Sequence, residues 1–327
     1  MGDARTPVVI DTDPGIDDAL ALILAARWPS CDLRAVTVTY GNTTLDLATR
    51  NARLVLARAH GAPWPEKQAP ALPLVLQGAD RPLRRPLLTA KETHGSEGIG
   101  DHTGPVAESV SPSASAIRDA LRAAQGPVTL ITLGPLTNLA LALRLDADMV
   151  RSRVARHVAM GGNLGARGTM GPHAEFNVWC DPEAADEVLR ASLGTELVGL
   201  DVTRQLVLPA ASVAKLAAHQ DPEAQWFGRL LGFYVRFHEA YEGLRGAVIN
   251  DPLAIALALE PAWGSAAPMS VAVDRSDGPD RGRTIVGDRD AGDPEVRVYR
   301  AFDHGAVHDL LLEHLFGRWL TRTDFAP

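Results

Sequence analysis

Val8-Val9-Ile10-Asp11-Thr12-Asp13-Pro14-Gly15-Ile16-Asp17-Asp18-Ala19-Leu20 sets an apolar run against four carboxylates within eight residues. The run reads as a buried strand. Pro14 and Gly15 mark a sharp turn, and the apolar pattern after Ile16 opens a helix. Carboxylates at this density repel one another, and burying them without partners is costly. A hard cation resolves the conflict, because Ca²⁺ and Mg²⁺ take oxygen ligands and favour carboxylates. Asp17 and Asp18 also fall at a helix N-terminus, where the dipole favours negative charge, so an acidic cap without a metal is the plainer alternative.

The rest of the chain repeats the strand-to-helix rhythm. Strands are expected at 8–12, 33–40, 128–133, 154–160 and 196–201, with late strands at 268–274 and 295–301. Helices are expected at 16–28, 44–60, 113–125, 136–145, 182–191, 210–219, 222–243, 252–259 and 304–320. This alternation predicts an α/β fold with a mainly parallel sheet flanked by helices. Residues 61–112, rich in Pro and Gly, read as an excursion with little regular structure. No repeat or linker divides the chain, so one domain over 1–327 is expected. Asp13, Asn42, Leu133, Met160 and Asp201 each follow an expected strand. In open parallel sheets the carboxyl ends of strands are where ligands bind.

Composition narrows the function. There are 32 Lys and Arg against 40 Asp and Glu, a net charge of −8, and no basic run. Nucleic acid and anionic membrane are therefore poor partners. No apolar run reaches the ~18 residues of a bilayer span. Cys31 and Cys180 fit no paired motif and read as free thiols of a cytoplasmic protein.

Further polar positions gather around the first motif. Glu175 and Asn177, at i and i+2 in Ala174-Glu175-Phe176-Asn177, would point the same way and grip adjacent sugar hydroxyls. Asp251 precedes Pro252 at the start of an apolar helix, where an ordinary N-cap is the competing reading. Thr93-His94-Gly95-Ser96-Glu97-Gly98-Ile99-Gly100 lacks the spacing of a phosphate loop and reads as a mobile lid.

Asp11-Thr12-Asp13-Pro14-Gly15-Ile16-Asp17-Asp18 resembles the N-terminal signature of the inosine-uridine preferring nucleoside hydrolases. The likeness continues through Gly41-Asn42, the His94 loop, Leu136-Thr137-Asn138, Met160-Gly161-Gly162, Ala174-Glu175-Phe176-Asn177, Asp181-Pro182-Glu183-Ala184 and Asn250-Asp251-Pro252. The resemblance implies a nucleoside hydrolase fold with a Rossmann-like sheet, assembly as a homodimer or homotetramer, and a bound Ca²⁺. Carried onto this chain, Asp13, Asp18 and Asp251 would ligate the metal with the Leu133 carbonyl. Asp13 would also be the general base. Asp17, Asn42, Glu175 and Asn177 would hold the ribose, and His94, Met160 and Thr169 would complete the nucleoside pocket. The implied reaction is hydrolysis of the N-glycosidic bond of purine or pyrimidine ribonucleosides.

Two positions depart from the family pattern. Asn250 stands where the inosine-uridine branch has a His proposed to protonate the base, and an amide cannot deliver a proton at neutral pH. Thr169 stands where an Asn often assists the 5′-hydroxyl. His238, Tyr241 or His94 would have to replace the missing acid, and His238 and Asn250 are the candidates carried forward for the leaving-group side. Alternatives left open are a Ca²⁺- and ribose-binding relative without turnover, a hydrolase of a non-standard N-riboside, and a haloacid-dehalogenase-like phosphohydrolase. The last would use Asp11 and Asp13 with the acidic loop Gly287 to Asp293.

Overall fold

Val8 and Ile10 turn their side chains into one apolar cluster and Val9 into another on the opposite side of the sheet, as strand alternation requires. All three are fully buried, so β1 (Thr6–Thr12) is covered on both faces. The computed structural model describes residues 5–61, 73–100, 102, 112–287 and 293–325. After β1 come α1 (Ile16–Arg27), β2 (Cys31–Val38), α2 (Leu45–Ala59), β3 (Leu74–Gln77), the short α3 (Lys91–His94) and α4 (Ala116–Ala123). The middle of the chain supplies β4 (Val128–Thr132), α5 (Thr137–Arg153), β5 (Val154–Met160), α6 (Phe176–Cys180), α7 (Pro182–Leu189) and β6 (Glu196–Val198). Then follow α8 (Leu200–Thr203), β7 (Val207–Pro209), α9 (Ala210–Ala217), α10 (Pro222–Phe237), β8 (Gly246–Val248) and α11 (Asn250–Leu259). The last elements are β9 (Gly264–Met269), β10 (Val271–Val273), β11 (Thr284–Val286), β12 (Val296–Phe302) and α12 (His304–Leu311).

Eight strands form one sheet in the order β3-β2-β1-β4-β5-β6-β12-β9, parallel throughout except for the pairing of β12 with β9. The chain leaves β1 toward β2, while β4 lies on its other side. The order therefore reverses between β1 and β4, and a crevice opens beyond their carboxyl ends. Asp13 and Leu133 sit there, held in register by the Leu133 N–H to the Asp11 carbonyl at 2.7 Å. Helix α1 is buried on every side from Ile16 to Ala25, packed among α2, α10 and α11.

The structure departs from the expected elements in several places: the helix expected over 136–145 runs on to Arg153, and the one expected over 304–320 ends at Leu311 and continues as a π-helical turn, Leu312–Phe316. β3 lies inside the stretch expected to be irregular, where Leu74-Val75-Leu76-Gln77 pairs with β2; parts of that stretch, 62–72 and 103–111, lie outside the described residues. The strand expected over 196–201 stops at Val198, and Leu200 already begins α8. The helix expected over 222–243 ends at Phe237 and continues as one π-helical turn, His238–Glu242. The strand expected over 268–274 is two strands, β9 and β10. Among the described residues no helix is long and apolar enough to cross a membrane.

Candidate active site

Asp17, Asp18 and Asp251 each place a carboxylate oxygen within 4.8 Å of the other two, and all three are buried. Helix α1 brings the first pair and α11 the third. Asp251 lies inside the first turn of α11 rather than capping it, because the helix begins at Asn250. Asp18 both caps and faces the cluster. Its Oδ2 accepts from the Gly15 N–H at 2.9 Å and Asn42 Nδ2 at 2.8 Å, and its Oδ1 accepts from the Thr12 hydroxyl. The Asp251 carboxyl hydrogen-bonds that of Asp18, and burial, then Asp17, Asp18 and Asp13, push it well above the carboxylate range.

Asp13 stands outside this tight trio but within its field. Its Oδ2 accepts the Asn42 N–H at 2.7 Å, while its fully buried Oδ1 has no hydrogen-bond partner. Burial, followed by the charges of Asp18 and Asp17, raises its pKa against the opposing Asn42 N–H. Two glycines make the room. A Cβ at Gly41 (φ +154°) would fall 1.9 Å from Asp13 Oδ2, and one at Gly134 would fall 2.6 Å from Oδ1.

This chemistry fits a hard cation. Four buried carboxylates share one crevice, one of their oxygens lacks any donor, and the donor set is all oxygen. The Leu133 carbonyl is already hydrogen-bonded by Asn177 Nδ2 at 2.7 Å, and a carbonyl oxygen has a second lone pair.

A cavity of about 1140 Å³ opens above the cluster. Glu175, at the N-cap of α6, lies on one wall. Its Oε1 accepts from the Asn177 N–H and its Oε2 from the Gly162 and Val178 N–H groups. Burial nonetheless lifts its pKa to about 7. Met160 receives the Asn177 amide on its carbonyl at 3.3 Å. Thr169 lines the cavity as an exposed residue, its hydroxyl accepting the Phe176 N–H at 2.9 Å.

His94, Tyr234, His238 and Asn250 line the wall formed by α3, α10 and α11. His94 is buried, and its Nδ1 accepts the Ile16 N–H at 3.0 Å, which leaves the ring proton on Nε2. The loop carrying it, expected as a mobile lid, is hydrogen-bonded to α2 and through it to the turn after β1. Arg50, 1% exposed, pairs with the Glu97 carboxylate, and Asn51 Nδ2 reaches both the Pro14 and Glu97 carbonyls. His238 begins the π-helical turn, its Nδ1 3.2 Å from the Gly246 carbonyl. Burial lowers both imidazoles to about 4, so both are neutral at pH 7. Asn250 Nδ2 donates to Asp17 Oδ2 at 2.9 Å and to Tyr234 Oη at 3.2 Å, and Tyr234 itself donates to Asp17 at 3.2 Å. Tyr241, weighed as a replacement acid, is 60% exposed at the rim.

Tyr234 is the residue the sequence reading missed. It is one turn before His238, and the spacing Tyr234, His238, Tyr241 marks one helical stripe.

The inosine-uridine preferring nucleoside hydrolase model matches residues 8–309. The chain belongs to that family. It is 34% identical over 315 residues to the pyrimidine-specific ribonucleoside hydrolase RihA of Enterobacter sp. (strain 638), covering 94% of this chain and 97% of that one. To the protein of the same name from Shewanella sp. (strain MR-7) it is 35% identical over 317 residues, covering 94% and 96%. Among solved structures, a plant nucleoside hydrolase aligns with a TM-score of 0.82 and 28% identity over 99% of this chain and 100% of the other. A purine-preferring ribonucleoside hydrolase from Gardnerella vaginalis gives 0.82 and 26% over 95% and 98%. The expected fold is thus borne out, and this family member is an N-glycosyl hydrolase, as its relatives' names state. The dehalogenase-like alternative falls with that result; of its acidic loop, residues 288–292 lie outside the described residues.

Proposed function

We propose that this nucleoside hydrolase cleaves the N-glycosidic bond of ribonucleosides in a Ca²⁺-dependent reaction with Asp13 as general base. The observation that carries the reading is the buried Asp13 Oδ1, left without a partner beside three further carboxylates at the β1/β4 crevice. Asp13, Asp18, Asp251 and the Leu133 carbonyl would hold the ion, with Asp17 adjacent. When bound, the cation neutralises the cluster and lowers the pKa of a coordinated water.

The chain's own groups account for the remaining chemistry. Asn42 fixes Asp13 by its N–H on Oδ2, so the free Oδ1 is the atom that accepts a proton from the attacking water. Glu175 Oε1 carries a single backbone donor, and its remaining lone pair can accept a ribose hydroxyl. Asn177, anchored through Nδ2, has its amide oxygen for the neighbouring hydroxyl. Contacts of this kind that tighten as C1′ flattens toward an oxocarbenium ion favour the transition state over the ground state.

The relatives' names point to both pyrimidine and purine nucleosides, so base class belongs to the wall around Asn250. The test is ribose release from inosine, adenosine, guanosine, uridine, cytidine and nicotinamide riboside, with and without a strong chelator, with bound metal quantified on the same sample. Turnover lost with the metal and restored by Ca²⁺ is the expected result. Full turnover in the chelated protein would overturn the metal assignment. A dimer or tetramer is part of the reading, and light scattering on the purified chain measures it.

A further inference from the structure

The wall formed by His94, Tyr234, His238 and Asn250 offers hydrogen bonds but no transferable proton. The Asn250 amide is no acid at neutral pH. The Tyr234 hydroxyl proton is bonded to Asp17 Oδ2, which also holds Asn250 Nδ2 and closes a three-membered ring of hydrogen bonds. A carbonyl only accepts, so the contact of His238 Nδ1 with Gly246 puts the ring hydrogen on Nδ1 and a lone pair on Nε2. The Ile16 N–H on His94 Nδ1 likewise fixes that ring as the neutral Nε2–H form. Burial at both imidazoles works in the same direction. Asn250 Oδ1 is buried with no donor at all, so the wall has surplus acceptors rather than surplus protons. Among the other lining groups, Lys91, Glu92, His173 and Tyr241 are exposed to solvent, while the buried Glu175, lifted to about 7, sits at the N-cap of α6, where its oxygens accept the Gly162, Asn177 and Val178 N–H groups on the ribose side of the cavity.

We propose that this wall makes the enzyme selective for ribosides whose base departs without a proton from the protein, with N-ribosyl pyridinium cations as the best-suited class. The inference rests on the N-ribosyl hydrolase reading above. In the step, the C1′–N bond breaks with its electron pair on the base nitrogen. The water oxygen bonds to C1′, and the water proton passes to Asp13. A pyridinium base leaves as the neutral pyridine and needs nothing more. A hydroxypurine or a uracil leaves as an anion and takes its proton from solvent afterwards. Adenine, a poor anion, is the base such a wall serves worst.

The experiment compares kcat/KM of the Ca²⁺-loaded enzyme for nicotinamide riboside, p-nitrophenyl β-D-riboside and adenosine. Because general acid catalysis contributes about 10²–10⁴-fold, adenosine is expected to trail the other two by about that factor. Asn250→His, which places an imidazole on the wall, is expected to shrink the adenosine gap by about tenfold or more. The readout is a ratio between substrates, so a general loss of activity in the variant cancels. Adenosine within about tenfold of both proton-independent substrates would overturn the inference while leaving the hydrolase reading intact. A gap that Asn250→His leaves untouched would also overturn it. Failure to release ribose from any of the three would sink the hydrolase reading and the inference with it.

Discussion

Asp13→Asn keeps the volume of the side chain and the contact with Asn42 but removes the acceptor proposed to take the proton of water. Turnover is expected to fall by about 10²–10⁴-fold. The substitution also removes one of the charges crowded against Asp18 and Asp17, so the melting temperature of the chelated protein should not fall. Steady-state kinetics and thermal unfolding on the same preparation check both halves, and near-normal rates would remove Asp13 from the role of base. These carboxylates were legible in the sequence because their density after an apolar strand is itself unfavourable without a ligand. Tyr234 was not legible, since a tyrosine on an amphipathic helix reads as core. Its place comes from a bond to Asp17 across 217 positions of sequence. His238 could be named from its sequence, but its neutral state comes from burial and its tautomer from the Gly246 carbonyl at the start of β8.

At the level of elements, the turns after β1, β2 and β4 converge because parallel strands all end on the same edge. Gly134, between β4 and α5, lets Asp13 lie close against the β4 turn. Gly134→Ala would set a Cβ 2.6 Å from Asp13 Oδ1, so it should abolish activity with only a modest change in melting temperature. Wild-type kcat in that variant would show that Asp13 can move without consequence. The loop after α3 gives a second case. Arg50→Met leaves the Glu97 carboxylate and the Asn51 amide oxygen without their guanidinium, and breaking a buried pair of this kind costs about 3–5 kcal/mol. Glu97 is partly exposed, so the lower end or less is expected, read as a fall in denaturation midpoint with a raised KM as His94 loosens. The same elements show where periodicity fails as a guide. The longer strands β1, β2, β4, β5 and β12 lie near their expected positions. The four-residue β3 was hidden among prolines, and its existence depends on pairing with β2 rather than on its own pattern. The end of α10 was overrun because nothing local distinguishes a π-helical turn from continued helix.

Across the whole molecule, buried titratable groups of two kinds oppose each other in their effect of pH on stability. His94, His157 and His238 have folded pKa values depressed by burial from 6.5 to about 4, 3 and 4. The unfolded chain binds these protons first, so stability is complete well above pH 6.5 and is lost as pH falls toward the folded values. His157, held between the Thr132 and Thr195 hydroxyls away from the cavity, isolates the effect. Relative to wild type, His157→Gln should gain about 2 kcal/mol between pH 7 and pH 5. A constant difference in denaturation midpoint across that range would show that His157 is not the group responsible. The carboxyls work in the other sense. Asp11 and Glu175 are raised to about 7, and Asp13 and Asp251 well above the carboxylate range. A folded pKa above the unfolded one contributes stability that is present at low pH and lost as pH rises through the folded value. The unfolded histidines are half protonated at pH 6.5 and add little slope by about pH 7.5, so from there the chelated protein should lose stability toward pH 8. A cation held by Asp13, Asp18 and Asp251 takes the ionised forms as ligands, so saturating Ca²⁺ should raise the melting temperature and flatten or reverse that slope. Thermal unfolding from pH 6.5 to 8, with chelator and with Ca²⁺, measures it directly. Parallel curves in the two conditions would mean that the four-carboxylate crevice does not bind the ion in the folded state.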